Sequence, residues 1–179
     1  AKALVSREVA LNDEATWNDE EARALLAQAD TFFIATRAGE LDDAAPNGVD
    51  VSHRGGRSGF LHLNADGSLS FPDFAGNRFF NTLGNIELDS RVSLLIPDFI
   101  TGDVLVLKGH ARVDWNPQRA ALVAGAERIV DVVPERVLHV EHALPAQGRL
   151  IEASPSLEQT GDWPDPDEAP VPLRRLRVI

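Results

Sequence analysis

The chain has 179 residues, enough for one domain with a substantial core. A formal net charge of −11 argues against a nucleic-acid backbone or an anionic membrane as partner, and the absence of cysteine excludes disulfides and thiolate chemistry. No stretch is long and apolar enough to span a bilayer, and AKALVSREVALNDEATW at the N-terminus lacks the apolar run of a signal peptide, so a cytoplasmic location is expected.

Residues 18–29 are predicted to be helical, with Asn18 as N-cap, Glu21 three residues on, and Ala22, Leu25, Leu26 and Ala29 as the apolar stripe. Thr31 to Thr36 is a short, buried strand, and a polar loop follows to Gly48. From Val49 to Arg54 the residues alternate: Val49, Val51 and His53 share one face, Asp50, Ser52 and Arg54 the other. Gly55-Gly56 ends this strand. Gly59 to Leu63 resumes extended structure, and Asn64-Ala65-Asp66-Gly67 turns it into a hairpin with Ser68 to Phe71.

After Pro72-Asp73-Phe74, Gly76-Asn77 is predicted to open a helix. Arg78, Asn81, Thr82 and Asn85 then lie on one face, and Phe79, Leu83 and Ile86 on an adjacent face that docks on the core. Free backbone N–H groups, the positive end of the helix dipole and an arginine together make a phosphate site; the alternative is a surface helix whose polar face meets water.

Arg91 to Ile96 is the next strand, stopped by Pro97. Val104 to Trp115 is the longest candidate, with Leu105, Leu107, Gly109, Ala111, Val113 and Trp115 on one face. Val104 and Val106 are apolar on the other, outward face, which points to a buried partner and hence a two-fold homodimer. Asn116 and Pro117 are N-cap and first residue of a helix expected to reach about Glu127, and Arg136 to Ala143 is the last core strand. Residues 1–150 form the folded domain; residues 151–179 read as an acidic, proline-rich tail, exposed and partly mobile, ending in a basic-apolar patch suited to an edge strand. Short strands, hairpin turns and few helices, without a βαβ rhythm, suggest a closed antiparallel barrel with flanking helices.

Common catalytic signatures are missing. Gly55-Gly56-Arg57-Ser58-Gly59 leads into a strand rather than a helix, so it is no dinucleotide fingerprint, and there is no Walker A sequence. Ser52 and His53 diverge as strand neighbours, and His139 and His142, three apart on an expected strand, face opposite sides, which argues against a paired metal site. His62 and His110 read as structural, while acid–base work by Asp50 or Asp73 is left open by spacing alone.

VSHRGGRSGF followed by FPDFAGNRFFNTLGN resembles the pyridoxamine 5′-phosphate oxidase-like family of FMN-binding split barrels, over roughly half the chain from Asp30 to Trp115, with TFFIATR ahead of the motifs and DVLVLKGHARV after them. The resemblance implies a mainly β fold with flanking helices: a six-stranded antiparallel split barrel that dimerises, with FMN in the groove between subunits. It places Ser52, His53, Arg54 and Gly55 along the flavin and its phosphate, Pro72, Asp73 and Phe74 along the isoalloxazine or ribityl chain, and Asn77 and Arg78 on the phosphate with Asn81 in support. No metal and no particular catalytic side chain are implied. The C-terminal part departs from the substrate-binding end of true pyridoxamine 5′-phosphate oxidases, so that substrate is not implied. The SHRGG and GNR pattern is more similar to a subgroup of uncharacterised flavoproteins, some fused to a ferredoxin-reductase-like module whose opening PLRRLRVI resembles; with Ala1 at position 1, a trimmed piece or a stand-alone relative is expected. The activity implied is an FMN-dependent oxidoreductase passing hydride or electrons through the flavin to a small-molecule substrate. The alternative is a flavin-binding or sensing module without turnover, or an electron relay for a partner reductase, with a haem-binding relative as a third reading.

Overall fold

Period-two alternation builds most of the architecture. The structure is a computed structural model and describes residues 5–9, 17, 19–39, 48–76 and 80–164. Eight strands are described, two more than the resemblance implied: β1 (Val5–Val9), β2 (Thr31–Arg37), β3 (Val49–Gly55), β4 (His62–Leu63), β5 (Leu69–Phe74), β6 (Arg91–Pro97), β7 (Val104–Asp114) and β8 (Ala126–Glu141). Three helices accompany them: α1 (Glu20–Gln28), α2 (Asn81–Leu88) and the single turn α3 (Pro117–Ala120). The strands form one antiparallel sheet in the order β3-β2-β6-β7-β8-β5-β4, with β1 also on β8. It curls around a core but does not close, because β3 and β4 are left as edges. No helix among the described residues is long and apolar enough to cross a membrane.

The inward row reads Phe32 and Ile34 from β2, Leu69 and Phe71 from β5, Val92, Leu94 and Ile96 from β6, Leu105, Leu107, Ala111 and Val113 from β7, and Val130, Val132 and Val137 from β8, all buried in one cluster. Phe32 stacks on Phe60 and meets Phe71 edge-on, at ring separations of 5.6 and 4.9 Å. Such pairs contribute about 0.5–1.5 kcal/mol beyond their burial. Trp17 seals this core, its indole N–H donating to the Gly67 carbonyl oxygen at 3.1 Å.

The helices differ from their sequence signals. α1 is capped by Asp19, whose side chain accepts from the Ala22 N–H, rather than by Asn18, which lies outside the described residues. α2 begins at Asn81 with Phe80 before it, five residues beyond Gly76, so Gly76 is not its opening. α3 has the predicted Asn116 cap and Pro117 start but stops at Ala120. The chain then turns at Gly125, with φ +82°, into β8. A Cβ at Gly125 would lie 2.1 Å from the Gln159 carbonyl oxygen, so glycine is needed there.

β8 is the largest departure. The expected strand from Arg136 is only its second half; the strand starts ten residues earlier, at Ala126. Pro134 in its middle looks like a terminator, but it sits at a bulge: Gly109 pairs with Pro134 and Lys108 with Arg136, so Glu135 is the extra residue. A proline is tolerated there because the ladder is already interrupted. Residues 151–164 are mostly exposed and include a 3₁₀ turn at Pro155–Gln159. They are tied down by Arg57, which donates to the Leu157 carbonyl oxygen, by Gly161 N–H to the Ala124 carbonyl oxygen, and by the Trp163 indole N–H to the Phe60 carbonyl oxygen.

The bulge requires glycine opposite it, because a Cβ on Gly109 would meet the Val133 carbonyl oxygen at 2.1 Å. Gly109→Ala is therefore expected to lower stability by roughly 1–3 kcal/mol, read as an earlier urea midpoint. A second test concerns Asp131, which accepts hydrogen bonds from Arg119 and Ser70 on the outer side of β8. Burial would raise its pKa, but those bonds outweigh burial and hold it below the ordinary 3.8. The stability this provides is complete above 3.8 and is lost as pH falls through the depressed folded value. Asp131→Asn should be less stable than wild type near neutral pH, by roughly 1–3 kcal/mol, with the gap closing on acidification in pH-dependent urea titrations.

Candidate functional site

The two motifs that carry the sequence resemblance meet at one end of the barrel interior. Strand alternation turns Arg54 inward from β3, Asp73 inward from the end of β5, and Arg128 inward from the start of β8, where it is the register partner of Asp73. Arg54 Nε is 3.9 Å from Asp73 Oδ1, and Arg128 Nη1 is 3.2 Å from Asp73 Oδ2. Asp73 and Arg128 are buried. Register shifts at Asp73/Phe74, with Glu127 as the extra β8 residue, and Glu127 contacts the Arg128 guanidinium from the rim.

This cluster is incompletely satisfied. Arg54 Nε and Arg128 Nη1 are buried, yet among the described residues neither has a hydrogen-bond partner, Arg54 Nε lying too far from Asp73 at 3.9 Å and Arg128 Nη1 meeting it at a poor angle. A buried donor without a partner costs about 1–3 kcal/mol, and more when it carries charge. Burial pushes the Asp73 carboxyl above its ordinary pKa, although Arg54 and Arg128 pull it the other way. The Arg128 guanidinium lies 5.2 Å from the ring centres of both Phe80 and Trp115, two aromatic residues that remain about half exposed. The arrangement offers charged donors at the base and aromatic faces at the mouth, suited to a ligand that is anionic at one end and planar at the other.

The other residues singled out from sequence divide by strand face. Ser52 points inward with Arg54, and its hydroxyl donates to Asp50 Oδ2 at 2.8 Å; Thr82 of α2 donates to the same oxygen at 2.8 Å. Asn85 donates to the Thr36 hydroxyl at 3.1 Å. Thr82 and Asn85 therefore clamp α2 to β2 and β3, and the polar face expected to line a phosphate is used in part for docking; Asn81 is exposed. His53 lies on the outward face, its Nε2 in contact with the Thr31 hydroxyl and its ring 5.7 Å from Phe33. Gly55 fits tightly, since a Cβ would meet the His53 ring at 3.2 Å and the Asp30 carbonyl oxygen at 3.3 Å. Pro72 is buried in the β5–β8 ladder, and Phe74 packs on the core. Asn77 and Arg78 lie outside the described residues, so the expected phosphate-binding pair has no described place.

Sequence reasoning missed Arg128, Phe80 and Trp115 as site residues. Arg128 was hidden because Asn116-Pro117 suggested a helix running to its doorstep. Its register partner Asp73 was legible, and so a cation opposite it could have been sought.

No family model matches the chain, and no curated protein matches it in sequence. Solved structures do. HupZ from Group A Streptococcus, as its H111A variant, superposes with a TM-score of 0.51 at 13% identity, covering 68% of this chain and 98% of that one. A Clostridium acetobutylicum protein of the pyridoxinephosphate oxidase family, related to general stress protein 26, gives a TM-score of 0.46 at 11% identity over 68% of this chain and 87% of that one. The FAD binding protein from Mycobacterium smegmatis gives 0.44 at 16% identity over 66% and 90%. At these identities the likeness is one of fold. The chain shares its fold with HupZ, and it has the mainly antiparallel, open split-barrel architecture that the paired motifs implied.

Proposed function

We propose that the protein is a flavin-binding oxidoreductase with FMN as cofactor and a small molecule as its redox partner. The observation that carries this reading is the pair of buried, unpartnered guanidinium N–H groups of Arg54 and Arg128 beneath the aromatic rings of Phe80 and Trp115. These residues fit an anionic, planar cofactor: the two arginines bind its charged end, and the rings flank its flat portion. Asn77, Arg78 and Asn81 are read as further donors to the phosphate, as the sequence resemblance implies, while Gly55 and Pro72 lie on the strand faces opposite Arg54 and Asp73. FMN supplies the hydride or electron chemistry, while the protein binds, orients and keeps water from the reacting face. Asp73 holds the two arginines apart and in place.

In a titration of apo protein with FMN and with riboflavin, Arg128→Ala and Arg78→Ala should each weaken FMN by about ten- to a hundredfold, as expected for loss of a hydrogen bond to a charged group, and leave riboflavin nearly unchanged. Equal losses for both ligands, or no FMN binding by wild type, would remove the reading. Anaerobic mixing of the FMN-loaded protein with NADH or NADPH separates an oxidoreductase from a flavin-binding or relay module, since the latter leaves the flavin oxidised until a partner reductase is added.

A second part of the reading is a two-fold homodimer. Val104, one of the residues on which that expectation stood, is buried within the chain, and Val106 is half-buried. Support comes instead from a registered row across the outward face, Phe33–Leu95–Val106–Leu138, flanked by Val49 and Val51, which are 66% and 65% exposed. A contiguous apolar row of this kind on a sheet face is suited to burial against a second copy. The row also borders His53, which faces away from Arg54. Light scattering should give twice the chain mass, and Val51→Glu with Leu95→Glu should halve it while leaving the circular dichroism spectrum intact.

A further inference from the structure

The opposite end of the barrel interior carries a second charged cluster that the flavin reading does not use. His139 lies on the inner face of β8, in register with Leu105 on one side and Arg7 on the other. It is 2% exposed, and among the described residues neither ring nitrogen has a hydrogen-bond partner. An imidazole this deeply buried normally has at least one of its nitrogens held. Its Nε2 is 3.5 Å from Asp103 Oδ2, beyond a good hydrogen bond. The expectation that His139 and His142 diverge fails here, because β8 ends at Glu141 and His142, at φ 52°, turns its Nδ1 back to within 3.6 Å of Asp103 Oδ1.

Two further acids complete the surround. Asp19 and Glu21, at the start of α1, each bring a carboxylate oxygen within 4.8 Å of a His139 ring nitrogen and of each other. Arg7 sits among them, its Nε 2.9 Å from Asp19 Oδ2, its Nη2 2.6 Å from Glu21 Oε2 and its Nη1 2.9 Å from Glu141 Oε1. Four carboxylates, of Asp19, Glu21, Asp103 and Glu141, thus face one guanidinium and two histidines, of which His139 alone is buried. Asp19 Oδ1 is committed to the Ala22 N–H, which leaves Oδ2 as its free ligand atom once Arg7 moves.

We propose that His139, Asp19 and Glu21 form a binding site for a divalent transition-metal cation of the zinc type. A buried imidazole nitrogen without a partner, facing two carboxylate oxygens, is the donor set such an ion takes. The ion would draw the three donors inward to bonds of about 2.0–2.2 Å. Arg7 is its competitor: it yields Asp19 and Glu21 to the cation and keeps Glu141. Binding would tie α1 to the end of β8 and so brace the strand pair β1–β8 from outside the flavin end. The proposal is independent of the flavin reading, since none of its residues touches Arg54, Asp73 or Arg128.

The test uses the full chain without an affinity tag, stripped with chelator and titrated with ZnCl₂ by calorimetry and with Co²⁺ by visible absorption. One equivalent per chain is expected, with the His139 ring signals displaced in the NMR spectrum. Glu21→Gln, at a side chain 76% exposed and so harmless to folding, and Asp19→Asn should each weaken binding by about tenfold or more, whereas Arg7→Gln should strengthen it by removing the competing guanidinium. Absence of saturable binding by the wild-type chain below about 1 mM metal overturns the proposal. So does an affinity unchanged in both Glu21→Gln and Asp19→Asn, which would put the ion elsewhere on an acidic surface.

Discussion

The ladder between β7 and β8 is the constraint on which the rest of the structure depends. β8 pairs with β7 from Ile129 to Val140, and its other edge is shared, with β5 along the first half and β1 along the second. Every strand except the β2–β3 pair and β4 therefore takes its position directly from one of these two. On β8 the partners of β5 end at Val132 and those of β1 begin at Val137. Because one strand serves both halves, the residues that close the two ends of the interior are placed by a single run of backbone.

Those two ends differ in charge. At the β5 side, two arginines surround one buried aspartate; at the β1 side, acidic residues outnumber Arg7 around a buried histidine. Burying charge is expensive unless every group is paired, and breaking one partner of a buried pair costs more than the pair contributes. Both ends leave side-chain nitrogens without hydrogen bonds. An apolar plug at either end would be simpler to satisfy. The proposed anion site at one end and the proposed cation site at the other would account for retaining such groups.

Much of the barrel was legible because its strands obey alternation strictly. The inward face of β7 and the hairpin at Asn64 to Gly67 follow from spacing, and the paired motifs assign Arg54 and Asp73 to one site, where the structure brings them together. What was not legible depended on tertiary context. Pro134 reads as a strand terminator until Gly109 is placed opposite it, and only that pairing extends β8 back to Arg128. Asn116-Pro117 opens a helix correctly, but nothing local says that it lasts one turn. Thr82 and Asn85 have the spacing of a ligand-binding face, and it takes the positions of Asp50 and Thr36 to show that they hold the helix down. His142 turns back through a left-handed backbone angle that no pattern in the sequence announces.

The bulge at Glu135 also sets the phase of the chain. Arg128 and His139 are eleven positions apart, an odd separation that would send them to opposite faces of an unbroken strand. The one extra residue converts odd to even, and both side chains enter the same interior. β8 therefore behaves as a coded ruler whose two ends are kept in step by a single count. A one-residue deletion that leaves the bulge in place would turn one end outward into solvent while leaving composition and hydropathy almost unchanged, whereas deleting the extra residue itself would keep the phase. A relative that lacks the extra residue should therefore lack the bulge as well, its strand regular and both polar ends still in phase, whereas one that keeps the bulge should keep the odd separation.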